Sequence, residues 1–139
     1  MPGDVATVRG LIIAAIDALD GWTPSRFAPE LFGRDTDRLL HHSFAVGVPS
    51  TEPKDGRQSL TDGCLVISTV EVQWAHRLRG DAQSGDYDDA TDAEQALVQA
   101  VVGISTQHVL IQRLTRRAAA EGWVIGTATF QVIHRYALA

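Results

Sequence analysis

Five histidines, one cysteine and a run of aspartates are the side chains here that could do chemistry. His41 and His42 are adjacent, so an extended segment would send their imidazoles to opposite sides. His76 and His134 share the even register of strand-like segments with apolar neighbours. A histidine in that setting reads as hydrogen-bonded and structural. His108 opens another such segment with no ligand pattern around it. No pair has the i, i+4 helical spacing or the HxH spacing that marks a metal site, so no metal centre is expected.

Other chemistries find no better footing. Cys64 has no base paired with it in sequence and starts an apolar strand, which suggests a buried thiol. Glu71 lies in the register opposite His76, so a Glu–His dyad within that strand is not expected. The aspartates of "DAQSGDYDDATDAE" do not match a calcium loop, which needs oxygen ligands at alternate positions, a central glycine and a closing glutamate. No GxSxG and no phosphate-cradling glycine loop occurs. The chain is therefore read as a non-enzyme with no catalytic residue and no cofactor. Active sites assemble in space, so a small α+β enzyme or ligand-binding domain stays open as an alternative.

The elements that would position these groups fit one domain spanning 1–139. A hydrophobic fraction of 45% and a charged fraction of 21% are ordinary for a soluble globular chain. A net charge of −5 and a pI near 5.4 disfavour free nucleic acid as the main partner, because phosphate contacts need a basic excess. A single cysteine precludes an internal disulfide. The opening segment lacks a basic n-region, and no apolar run reaches membrane-spanning length. A reducing cytoplasm and no membrane partner are the expectation.

Val8, Leu11, Ile12, Ala15, Ile16 and Leu19 recur at helical spacing and predict a helix over about 4–19, with Asp4 as cap and Gly21 as stop. The 22–42 segment is irregular, with Trp22, Phe27 and Phe32 packing on the core edge and a helical turn near 30–32. Ser43 to Pro49 alternates as a strand that Pro49 ends. Residues 49–62 read as a hairpin tip or arm. Cys64 to Arg79 alternates for sixteen residues, roughly 50 Å at strand rise, so part of it should project or bend. A second helix is expected over about 88–102, capped by Asp88 or Asp89 and broken by Gly103. His108–Arg117 and Trp123–Leu138 form a closing antiparallel hairpin. The sum is an α+β fold: one antiparallel or mixed sheet of about four strands, with a long β-hairpin, flanked on one face by two main helices.

Charge is unevenly spread. Residues 81–94 hold six acids and no Lys or Arg, while Arg113, Arg116 and Arg117 stand together without an acid. Arg77 and Arg79 directly precede the acidic stretch that includes Asp81, Asp86, Asp88 and Asp89. These are either solvated ends or the two halves of a head-to-tail contact between copies. The nine residues are the candidate subunit interface.

"HSFAVGVPSTEPKDGRQ", "TVEVQWAHRLRGDAQSGDYDDATDAEQALVQAV" and the closing "FQVIHRYAL" carry a resemblance. In element order the chain is similar throughout, and most of all from Ser43 to Val101, to the tail terminator (tail completion) proteins of long-tailed bacteriophages and prophages. The resemblance implies a structural virion protein of the tail–neck region, assembled in the bacterial host cytoplasm. It implies a homo-oligomeric, hexameric ring that caps the tail tube, ends its polymerisation and offers a docking surface to the head connector. Genomic DNA would pass through the lumen without specific binding. Glu52, Lys54, Asp55 and Arg57 become candidates for the loop that meets the tube protein or the connector. Another head–tail connector or neck protein is the nearest alternative.

Overall fold

The computed structural model describes residues 4–26, 28–34, 39–54, 64–78, 83–104, 107–119 and 122–136. The chain runs α1 (Asp4–Asp17), β1 (Thr23–Pro24), a 3-10 turn (Pro29–Leu31), β2 (Ser43–Pro53), β3 (Cys64–Arg77), α2 (Gln83–Val102), β4 (His108–Ala119) and β5 (Trp123–Tyr136). The five strands form one sheet in the order β1-β2-β3-β5-β4. Every pairing is antiparallel except the short parallel bridge of β1 to β2. Among the described residues the architecture is α+β, with one mixed sheet and two helices.

The period-two pattern decides which face is dry. Phe44, Val46, Val70, Val72, Trp74, Ala128, Phe130 and Val132 share one face and pack with Val8, Ile12 and Ile16 of α1 and Leu97 and Val101 of α2. Both helices therefore lie on that face. A smaller cluster of Phe32, Leu39, Ala45, Ala75, Trp123 and Ile125 covers part of the opposite face. Trp22 and Phe32 both pack inward as expected, but on opposite sides of the sheet. Phe27 lies outside the described residues.

Several boundaries differ from expectation. Pro49 does not end β2, which continues to Pro53 through a register shift between Gly47 and Ser50. Proline lacks only an N–H, and a bulge leaves that position without a ladder bond to give. The first helix stops at Asp17, and a turn of backbone bonds leads to Gly21 at φ 85. The second helix starts at Gln83, so Asp88 and Asp89 lie inside it rather than at its cap. The fifth strand, β1, is two residues long and had no periodicity to announce it.

The β2 end of the β2–β3 hairpin is exposed, but β3 does not project as expected: Val66 and Ser68, paired with Pro53 and Thr51, are buried. Residues 49–54 are exposed, and β3 pairs with β5 along its full length from Cys64 to Arg77. Glu52 and Lys54 sit on this exposed end, whereas Asp55 and Arg57 lie outside the described residues.

Candidate functional site

Two features stand out, a cleft lined by histidines and an exposed edge strand. The cleft forms where the 41–42 turn meets the end of β3. The register Phe44↔Trp74 carries His42 across from His76 at the mouth of the β2–β3 pair. The backbone N–H of His42 donates to the Ala75 carbonyl at 2.8 Å. His42 adopts φ 58, a left-handed conformation that costs a non-glycine residue about 1–2 kcal/mol. That turn overturns the expectation that His41 and His42 point apart. The segment is not extended, and the two rings stack at 3.8 Å between centroids.

The cluster is held on several sides. Trp22 stacks on His42 at 4.4 Å and 7°. The Nε2 of His42 lies 3.1 Å from Nδ1 of His76. The Arg77 backbone N–H donates to Nδ1 of His41 at 3.1 Å, so the His41 proton sits on Nε2. One ring nitrogen from each of the three histidines lies within 4.8 Å of the others. Asp86 and Asp89 of α2 and Arg77 of β3 complete the walls of a cleft of about 430 Å³.

Burial pushes all three imidazoles below their ordinary pKa. His42 falls to about 4, through burial first and then the neighbouring His41 and His76. His41 is lowered by burial, against the pull of Asp86. His76 is lowered by burial and by His41, while Asp86 and Asp89 oppose the shift. The cluster is therefore neutral at neutral pH, with lone pairs available to an electrophile.

Of the other histidines, His134 is hydrogen-bonded within the fold, as its register implies. His134 receives the Ser68 hydroxyl at Nε2, 2.7 Å away, and donates from Nδ1 to the Arg135 carbonyl at 3.0 Å. The pair has the form of a base and its nucleophile, but Ser68 is 0% exposed and no substrate reaches it. His108 is exposed at the start of β4. The side chain of Cys64 lies outside the described residues. A larger cleft of about 590 Å³ runs along the β1 edge between Thr23 and Ser43, with Arg26 as its one charged lining residue among those described.

The edge strand is the second feature. Every residue of β4 is exposed except Val109 and Ala119. Its outer side carries no strand partner among the described residues. A register shift between Ile111 and Arg113 changes which residues face the helices. Past it, Leu114 and Arg116 lie across from Ala128 and Gly126 on the helix side. Arg113, Thr115 and Arg117 lie across from Thr129, Thr127 and Ile125 on the other side. Leu110, Ile111 and Leu114 are exposed among the arginines, Ile111 and Leu114 on the helix side and Leu110 on the other.

The predicted interface residues thus separate. Arg116 is held in its own chain by both oxygens of Glu94, at 2.7 and 2.5 Å, and this bonding raises its pKa. Arg117 lies on the opposite face against Gly33, whose φ of 81 and missing Cβ leave room for the guanidinium. Arg113 is exposed. Arg77 is exposed and its guanidinium carbon sits 5.4 Å from the Trp123 ring centre. Asp88 and Asp89 are exposed on α2, whereas Asp86 turns inward, 5% exposed, to the histidine cleft. Arg79 and Asp81 lie outside the described residues.

The histidine cluster was missed from sequence. The usable signal was the hairpin register, since pairing Phe44 with Trp74 also brings residue 42 to residue 76. A bulge and a long connection between the strands concealed that register.

No protein-family model matches the chain, and no curated protein matches it. Among solved structures, the chain is similar to a protein from Akkermansia muciniphila at 12% identity and a TM-score of 0.41. That match covers 66% of this chain and only 40% of the other. A second protein from Akkermansia muciniphila, solved without its transmembrane region, is similar at 10% identity and a TM-score of 0.46, over 98% of this chain and 83% of that one. Likenesses this distant carry no argument about function. Among the described residues, no helix is long and apolar enough to cross a membrane.

Proposed function

We propose that the chain is a structural assembly subunit, a tail terminator that closes into a ring on the phage tail tube and presents a surface to the head connector. The observation that carries this reading is β4. A twelve-residue edge strand, about 40 Å long and wet on both faces, is an open template for another chain. Its bulge and arginines are devices that block indiscriminate pairing. The same arginines suit an acidic partner, and α2 supplies one on a second copy through Asp88, Asp89 and Asp92. Basic edge and acidic helix lie on different parts of the chain, so the contact is heterologous, and a heterologous contact closes into a ring when the rotation permits.

The exposed end of the β2–β3 hairpin, with Glu52 and Lys54, is the element offered to the tube or the connector. The segments similar to tail terminators fall on β2, β3, α2 and β5, which build the core and the acidic surface. Genomic DNA is expected to pass through the lumen unbound, in keeping with a net charge of −5. A head-side neck protein would use the same ring surface. The experiment that separates the two is co-sedimentation with purified tail tubes and with DNA-filled heads. Binding to tubes alone supports the terminator, and binding to heads alone supports the neck protein.

A further inference from the structure

We propose that His42 and His76, with His41 as the third imidazole, form a binding site for a first-row divalent transition metal of the zinc class.

The argument is geometric. In a tetrahedral site with metal–nitrogen distances of 2.0–2.1 Å, two ligand nitrogens stand about 3.3 Å apart. Nε2 of His42 and Nδ1 of His76 are already 3.1 Å apart. A metal can replace the proton they share with little movement of either ring. The third ring nitrogen lies within 4.8 Å of both, so it closes in by about 1.5 Å to ligate. His41 gives up its bond from the Arg77 N–H to do so. It is therefore the weakest of the three ligands.

The surroundings suit a cation. Asp86 and Asp89 line the same cleft and supply negative charge without entering the trio. The cleft is open to solvent, so a fourth position falls to water. Neutral imidazoles are the ligating form, and burial keeps these neutral at neutral pH. The strained backbone at His42 has a use in this arrangement, because φ 58 is what turns both adjacent rings into one cleft. Three imidazoles and water are the donor set of zinc, cobalt and nickel rather than calcium or magnesium. A bound metal would tie the 41–42 turn to the end of β3.

The test uses the full chain without an affinity tag, stripped with EDTA and titrated with Co²⁺ and Zn²⁺. Calorimetry counts equivalents, and the visible spectrum of Co²⁺ reports coordination. The expected result is one equivalent per chain, with the intense visible bands of four-coordinate cobalt and a zinc-dependent rise in melting temperature. His42→Asn keeps a side chain that accepts φ above zero, so the turn survives. It and His76→Asn should each weaken cobalt binding by more than about 100-fold, beyond the range for losing an outer-shell partner. His41→Ala should weaken it less. Circular dichroism checks folding, and His42→Asn alone decides if His76→Asn does not fold. No binding, a six-coordinate aquo-like cobalt spectrum, or unchanged affinity in His42→Asn would overturn the proposal.

Discussion

Arg116 on the edge strand is clamped by Glu94 of α2 through two hydrogen bonds within one subunit. The two partners are unequally wet, since the Arg116 side chain is 36% exposed and that of Glu94 only 3%. Removing either one should therefore have different costs. Glu94→Ala leaves a guanidinium that can swing into water and should cost about 1 kcal/mol or less. Arg116→Ala strands a carboxylate with no water and should cost about 2–3 kcal/mol. Urea unfolding of both variants checks the order, and equal losses would contradict it.

Trp74 packs against Gly126, its partner on the neighbouring strand, and a Cβ at 126 would overlap the indole ring. Trp74 is 0% exposed, and its Nε1 has no hydrogen-bond partner among the described residues. The ring is thus kept for its bulk. Gly126→Ala should destabilise the fold by about 1–3 kcal/mol, the usual range for overpacking. The pair Gly126→Ala with Trp74→Leu should recover part of that loss. A chemical denaturation series on the single and double variants reads the coupling.

The histidine cluster makes stability depend on pH in a stated direction. Folding lowers the pKa of all three imidazoles from 6.5, and of His42 to about 4. The unfolded chain therefore binds these protons better. Their contribution is whole above about pH 6.5 and declines as pH falls below it, that of His42 being lost as pH falls through about 4. The groups facing them are Arg77 on β3 and Asp86 and Asp89 on α2. With EDTA present, the wild-type chain should lose more stability between pH 7.5 and 4.5 than His42→Asn does. Parallel profiles would show that His42 does not titrate with folding.

The assembly reading predicts a charge exchange, and the structure chooses its residues. Arg116 is engaged with Glu94, and Asp89 faces the histidine cleft, so neither isolates a contact between copies. Arg113→Glu with Arg117→Glu should abolish oligomers while leaving the fold intact. Adding Asp88→Lys with Asp92→Lys should restore them in part, since exposed α2 positions carry these acids. Native mass spectrometry at low salt reads the outcome. Oligomers that survive the first pair would remove β4 from the interface.

The alternating residues of β3 and β5 and the stripe of α1 were legible in sequence because burial on one face imposes a period on composition. Five-strand order was not, since β1 is a two-residue tertiary pairing with no pattern of its own. The arginines and acids of the proposed assembly surface were visible as charge blocks, but their facing was not. The β4 bulge inverts which arginine meets the helices, and a one-residue shift leaves no mark in composition. The histidine cluster was hidden for a similar reason. His42 reaches its place through a left-handed turn in "LLHHS", a stretch without glycine to signal one.

The central claim is that this chain caps a tube as a ring. The most direct measurement is cryo-electron microscopy of the purified chain mixed with tail-tube protein, with mass photometry of the chain alone. The account predicts six-fold rings seated on tube ends, with β4 in the contact between neighbours and tubes of arrested length. A monomer or dimer that leaves tube length unchanged would contradict it.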